Sequence, residues 1–346
     1  MTIIYFILII SAIIIIHELG HLLTAKYFHV YCEEFSIGMG PAIFKKKFSE
    51  TTFAIRALPI GGFVAMAGEE GMDNEDIPFE RTIKGIAWWK QIIVMGAGAL
   101  MNILLAWILF IGITMVQGKV VVPAEPVVQG FTESSVAQEA GIQVGDRIVS
   151  VSSGGATIHP KTFDDIIEHM GYYPDSETTF EVERNQKQLT FVLTPRYNEA
   201  EDRYLAGFLT KSSIKDITAL EAISYGTDKM IDGSKTIVRA LGKLVQGIGL
   251  QNLSGPVGIY KLTEQTTQIG MTSTLSLIAL LSLNIGIFNL IPLPVLDGGR
   301  IFIILLEKIS GRKISEKVET AIMSVGVLLL IGIMVFATWQ DIMRLF

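Results

Sequence analysis

Cysteine is nearly absent: Cys32 is the only one in 346 residues, which excludes an intramolecular disulfide and any thiolate metal cluster. Charge is also scarce, at 18% of residues against 50% hydrophobic. That balance excludes a disordered chain and argues against a wholly soluble one. A net charge of −6 offers no basic surface, so no nucleic-acid partner is expected. Any metal must therefore be held by Asp, Glu or one of the five His. Internal repeats and low-complexity segments are lacking too.

What is present is a set of long charge-free runs. Residues 91–118, 265–296 and 320–340 carry no charge, and residues 1–25 carry only Glu18 besides the His17/His21 pair. Crossing a ~30 Å hydrocarbon layer takes about 20 apolar residues, so each run can span. Four transmembrane helices are expected, at 3–26, 92–117, 272–296 and 320–339. The first lacks a basic start and a small-residue cleavage site, and is read as a retained helix rather than a secretory leader. Seven Lys and Arg lie between positions 45 and 90, and five between 300 and 317. Placing both basic segments in the cytoplasm leaves the termini and the 118–264 insert outside.

Within that insert, Arg147–Val151 and Thr179–Glu183 alternate as strands do, Gly141 and Gly145 mark turns, and 162–170 has a short helical pattern. Residues 217–246 read as an amphipathic helix suited to a membrane surface. Four regions follow. Residues 1–117 form the first half of a membrane core, 118–205 an α+β module, 206–264 an amphipathic helical region, and 265–346 the second half of the core.

The chemistry concentrates in His17-Glu18-Leu19-Gly20-His21. Residues i and i+4 share a helix face, so both imidazoles can reach one ion, while Glu18 can take a proton from a water activated there. A polar seam between packed helices is the rival account. Against it stands the cost of ionisable groups at membrane depth, ~2.5–3.5 kcal/mol for one central charge, which a bound cation offsets. Two His leave tetrahedral zinc short of a protein ligand. The other acid deep in an apolar run is Asp297, in Asn289-Leu-Ile-Pro-Leu-Pro-Val-Leu-Asp297-Gly-Gly299, where Pro292 and Pro294 break the helix. A helix end meeting cytoplasmic water would explain Asp297 equally well by itself; the missing ligand tips the balance. Asn102, in Gly96-Ala-Gly-Ala-Leu-Met-Asn102, and Asn289 are further buried polar candidates, with interhelical glue as the alternative role for Asn102.

Together these residues resemble the site-2 protease family of intramembrane zinc metalloproteases, and within it the bacterial regulator-of-sigma-E group. The resemblance runs through the HELGH helix, Leu58–Val64, Gly98–Asn102, Leu253-Ser-Gly-Pro-Val-Gly-Ile259 and Asn289–Gly299. It implies a polytopic α-helical membrane protein with four transmembrane helices, a cytoplasmic-side membrane-associated β-hairpin at 51–66, and one inserted extracytoplasmic PDZ-like α+β domain. It further implies His17, His21 and Asp297 as Zn2+ ligands, Glu18 as general acid/base, and Asn289 and Asn102 as groups that hold substrate or stabilise the oxyanion. Arg300 stands where members often have His, and Ala99 where Pro is common.

The implied activity is hydrolysis of peptide bonds inside the membrane spans of single-span proteins or signal-peptide remnants, anti-sigma factors among them. The implied setting is regulated intramembrane proteolysis, in a multi-pass cell-membrane protein embedded in the lipid bilayer with its active site toward the cytoplasm. Two other classes use the same residues: an intramembrane metal transporter or sensor, and a catalytically silent PDZ scaffold. The first calls for further acids or His along a transmembrane track, the second for loss of Glu18 or a ligand, and the sequence has neither.

Overall fold

The computed structural model describes residues 2–69, 76–198, 203–250 and 253–344. It divides into two compact units: Met1–Val116 with Leu220–Gly242 and Gln251–Phe346, and Gln117–Ala219 with Lys243–Leu250.

The first unit begins with helix α1 (Thr2–Tyr27), strands β1 (Cys32–Phe48) and β2 (Thr51–Met66), and helix α2 (Trp88–Gln117). The second unit holds β3 (Lys119–Val122), β4 (Gly130–Phe131), α3 (Val136–Glu139), β5 (Arg147–Ser153), β6 (Ala156–Ile158), α4 (Phe163–Tyr172), β7 (Thr178–Arg184) and β8 (Lys187–Leu193). Its short strands β9 (Arg196–Asn198), β10 (Arg203–Leu205), β11 (Phe208–Leu209) and β12 (Ser213–Asp216) follow. The chain then returns through α5 (Ala219–Val245), α6 (Pro256–Ile269), α7 (Met271–Asn289), α8 (Asp297–Ser310) and α9 (Glu316–Met343).

Among the described residues, four helices are long and apolar enough to cross a membrane: Thr2–Tyr27, Trp88–Gln117, Met271–Asn289 and Lys317–Met343. Their large apolar side chains, such as Leu8, Ile108, Leu280 and Leu328, stand exposed. So much apolar surface suits contact with lipid rather than water. The third ends at Asn289, short of the expected 296. Pro292 and Pro294 cannot donate to a helical ladder, so the chain leaves α7 and starts a new helix at Asp297. Residues 298–310, in the basic stretch expected to lie in the cytoplasm, thus belong to α8.

The hairpin is larger than its expected 51–66 extent, because β1 supplies a strand of 17 residues. Both strands bend. Phe35 and Ile37 face Val64 and Gly62 in one stretch of β2 and Phe53 and Ile55 in another. The segment 32–37 is therefore flanked on both sides, and 62–66 forms an edge. Glu50, at the turn, accepts from Lys26 Nζ and Arg81 Nη2, both at 2.7 Å. These two cations hold the Glu50 carboxyl below the usual range. Val94, Met95, Phe35, Val64 and Leu22 share one buried cluster, so α1, α2 and the hairpin pack as one body. Farther along α1, Ile9 and Ile13 bury against Leu277 and Leu281 of α7. Helix α5 docks through Ile237 onto Ala106 and Leu283, and Trp107 Nε1 donates to Thr227 Oγ1 at 2.9 Å. Burial pushes the Cys32 thiol up to about 11, so it is inert rather than nucleophilic.

The second unit is built on an antiparallel sheet in the order β6-β5-β7-β8. Phe180 and Val182, alternate residues of β7, fill its core with Ile148 and Val151, which a bulge in β5 turns to the same face, and Ile166 and Met170 of α4 cover them. A capping box of Thr162 and Asp165 starts α4. β12 pairs with β3, so the module's entry and exit strands lie side by side. Residues 199–202, within the 118–205 region read from the sequence, lie outside the described residues.

An ion pair invisible in the sequence closes this unit. Asp146 accepts from Arg184 Nε and Nη2, both at 2.6 Å, and from the Gln143 amide at 2.9 Å. Burial alone would raise its pKa, but the Arg184 hydrogen bonds outweigh it and hold the carboxyl below the usual range. With a depressed folded-state pKa, the stabilisation is complete above the unfolded value of about 3.9 and fades as pH falls through and below it. Amide exchange in β5 and β7 should therefore rise below about pH 4. Asp146→Ala should raise it already at pH 7, because it removes the buried carboxylate that accepts from Arg184 and the Gln143 amide. Unchanged exchange in that variant would show the pair to be idle.

Candidate active site

Helix α1 carries His17 and His21 one turn apart, and both are buried. Asp297 arrives from a point 276 residues later as the first residue of α8, 3.2 Å from His17 Nε2 and 3.4 Å from His21 Nε2 through its Oδ2. The two Nε2 atoms are themselves 3.2 Å apart. Ligands about 2.0–2.1 Å from a tetrahedral zinc stand about 3.3–3.4 Å from each other. The three separations match that figure. Asp297 Oδ2 is buried, and apart from these two ring nitrogens no group is within hydrogen-bond reach of it among the described residues. Lone pairs converging in this way repel one another unless a cation lies between them. The donor set of two imidazoles and one carboxylate suits zinc.

Glycines allow the convergence. Between the two His, a Cβ on Gly20 would meet the Ala97 carbonyl oxygen at 2.5 Å, so its absence lets α2 press against α1. Opposite, a Cβ on Gly98 would stand 2.7 Å from His17 Cε1 and closer still to His21 Nε2. The Nε2 edges of both imidazoles thus lie against the α2 backbone. Gly298 and Gly299 do the same for the third member, since a Cβ on either would strike the backbone of residues 290–294. Just before Asp297, Val295 has φ +81°, a strained value for a β-branched residue.

Around the triad, the His21 Nδ1–H donates to the Val94 carbonyl at 2.8 Å. Asn102 is fully buried with its Nδ2 3.4 Å from His17 Nδ1. Ser282 Oγ of α7 donates to the Asn102 carbonyl at 2.8 Å. Glu18 is half-buried and turned toward β2: a Cβ on Gly62 would lie 3.4 Å from its Cγ. Asn289 ends α7 half-buried, and no hydrogen bond engages its carboxamide among the described residues.

Two residues that sequence reasoning left without a role complete the surroundings. Glu69, just past β2, pairs with Arg300 in the first turn of α8 and accepts from the Met66 amide at 3.2 Å. This pair ties the end of the hairpin to the helix that supplies Asp297. It borders a cavity of about 590 Å3 lined also by Phe63, Val64, Met95 and Met323. Positions 69 and 300 carry no shared pattern in the sequence. The departure at Arg300 was the only signal.

Comparison with known proteins identifies a family along nearly the whole chain. The model of peptidase family M50 matches residues 5–333. The chain is 32% identical over 424 aligned positions to the zinc metalloprotease RasP of Bacillus licheniformis, covering all of this chain and 99% of that one. It is 31% identical, with the same coverage, to the regulator of sigma-W protease RasP of Bacillus subtilis. A relative from Clostridium perfringens is 38% identical over 349 positions, covering 99% of this chain and 98% of its own. The chain belongs to peptidase family M50, and it is an intramembrane zinc metalloprotease of regulated intramembrane proteolysis.

Proposed function

We propose that His17, His21 and Asp297 hold the Zn2+, that Glu18 is the general base and then the general acid, and that substrate lies along the 62–66 edge of β2. The convergence of three lone-pair atoms at tetrahedral spacing carries this reading. When bound, zinc lowers the pKa of a water toward ~7 and polarises the scissile carbonyl. Glu18 takes the proton from that water and returns it to the leaving amine nitrogen. The Asn289 carboxamide is free to donate to the developing oxyanion.

A transmembrane helix hides its carbonyls in its own hydrogen bonds, so the scissile stretch has to unwind. An edge strand compensates by offering backbone partners to an extended chain. Segment 62–66 has such an edge, passes Glu18 at Gly62, and borders the cavity beside Arg300. The substrates are single-span membrane proteins or signal-peptide remnants. By likeness to the Bacillus subtilis relative, whose name assigns it to sigma-W regulation, membrane-embedded anti-sigma factors fall in that class. The basic segments favour a cytoplasmic side for the hairpin and the metal ligands. The 118–205 region is then the extracytoplasmic PDZ-like domain, a screen on substrate access. A metal-transport role would want a track of ligating groups; among the described residues one such group of three occurs.

The test is cleavage of a single-span peptide by the full chain in proteoliposomes, with fragment masses locating the cut. A cut within the span is expected, and cuts confined to the flanking loops would overturn the reading. Replacing one Leu beside the cut by Gly weakens the substrate helix by ~1 kcal/mol, so kcat/KM should rise about fivefold. No gain would remove the unwinding step.

A further inference from the structure

We propose that Asn102 is the positioning residue for His17: its Oδ1 accepts the Nδ1 proton and so keeps the Nε2 lone pair directed at the metal. This rests on the metal reading above, and assigns Asn102 a place behind the ligand rather than on the substrate.

A neutral imidazole carries one proton on two nitrogens. To ligate through Nε2 it has to hold that proton on Nδ1, and an acceptor beside Nδ1 fixes that choice. His21 has such an acceptor in the Val94 carbonyl. His17 has none on the backbone, and the polar group beside its Nδ1 is the Asn102 carboxamide. With Nδ2 facing the ring, a ligating His17 would set two N–H donors against each other at 3.4 Å. At the same time Asn102 Oδ1 is buried without a hydrogen-bond partner among the described residues. A half-turn about the Cβ–Cγ bond exchanges the two ends of nearly equal size and turns the opposed donors into one Nδ1–H···Oδ1 bond.

The same side chain serves the metal-free protein in its other orientation. There Nδ2 donates to Nδ1, and the His17 Nε2 proton is directed at Asp297 Oδ2, 3.2 Å away. A carboxamide can do both, whereas a carboxylate can only accept. Asn102 is also out of reach of a peptide. It is 0% exposed, with the His17 ring between it and Asp297, and its backbone is pinned by Ser282.

The experiment is competition for Zn2+ between the purified full-length protein and a chromogenic chelator, run on wild type, Asn102→Leu, Asn102→Asp and Ser282→Ala. Co2+-substituted absorption spectra report the coordination sphere of each. Loss of an orienting partner weakens zinc binding by about 10–100-fold, and Asn102→Leu should show that loss with altered Co2+ bands. Asn102→Asp keeps an acceptor and should bind within about threefold of wild type, as should Ser282→Ala, which leaves the carboxamide in place. Equal loss in the Leu and Asp variants, with both eluting as folded protein, would assign Asn102 a packing role and overturn the proposal. So would wild-type affinity in Asn102→Leu. Wild-type protein that holds no zinc would instead overturn the metal reading, and this inference with it.

Discussion

Asp297→Ala and Glu18→Gln should both stop cleavage, but only the first should empty the metal site. In the proposed site Asp297 would supply one of three protein donors, and its Oδ2 stands 3.2 and 3.4 Å from the two imidazole nitrogens. Without it two His remain, one ligand fewer than catalytic zinc sites ordinarily have. Zinc content should fall well below one per chain, and turnover to background. Glu18 holds no place among the three converging atoms. Its side chain turns toward Gly62 and the edge of the hairpin, where a peptide and its attacking water would lie. Gln keeps the shape and removes the proton acceptor, so kcat should fall by about 10^2–10^4 while zinc content stays at the wild-type level. Metal analysis beside cleavage of the single-span substrate separates the two effects. Loss of zinc in Glu18→Gln would make Glu18 a ligand, and substantial turnover in that variant would remove it from proton transfer.

The sequence made some of this legible because the physics was local. An i, i+4 pair lies on one helix face whatever surrounds it, so His17 and His21 could be placed together from spacing alone. Charge-free runs give spans for a similarly local reason, and four apolar helices are present. Proline marks where a helix stops more surely than hydropathy does, which is why α7 ends at Asn289 although the apolar run continues to Leu296. Helix α8 was hidden by its own start. Gly298 and Gly299 are poor helix formers, yet they are there because the first turn of the helix packs onto the backbone of 290–294.

What stayed illegible depended on pairs far apart in the chain. Arg300 and Glu69 are 231 positions apart and Arg184 and Asp146 are 38 apart, with no motif joining either pair. Asn102 could be noticed as a polar residue in an apolar helix, but the sequence could not say which way it faced. Its spacing suits interhelical glue, substrate contact and an orienting role alike. Burial and the 3.4 Å approach to His17 Nδ1 are properties of two packed helices. The hairpin was underestimated for a related reason: β1 carries Lys45, Lys46 and Lys47 beside apolar residues, and its partners in β2 follow only from the bend.

Gly98→Ala is expected to be as damaging as losing a ligand, although it adds a single methyl group. That methyl would lie 2.7–2.8 Å from His17 Cε1 and Nε2 and closer to His21 Nε2, inside the contact distance of any carbon. It cannot turn aside, because a Cβ direction is fixed by the helix backbone. The imidazoles have to shift, or α1 and α2 have to part. Overpacking of this kind costs about 1–3 kcal/mol, which a membrane core of this size tolerates, so the variant should still fold. The site should not survive it. A misplacement of ~1 Å costs about 10^2-fold in rate, and disturbed ligand support another 10–100-fold in zinc affinity, so cleavage should drop by at least about 10^3. Gly96→Ala is the matched control two residues away. Its added methyl would meet only Ile301 Cδ1 at 3.7 Å, an ordinary contact, and Ala is the better helix former by ~1 kcal/mol. It should cleave at near wild-type rate and melt no lower. If Gly98→Ala instead kept its zinc and its turnover, the two imidazoles could not lie against the α2 backbone during catalysis, and the placement of the metal between α1 and α8 would have to be abandoned.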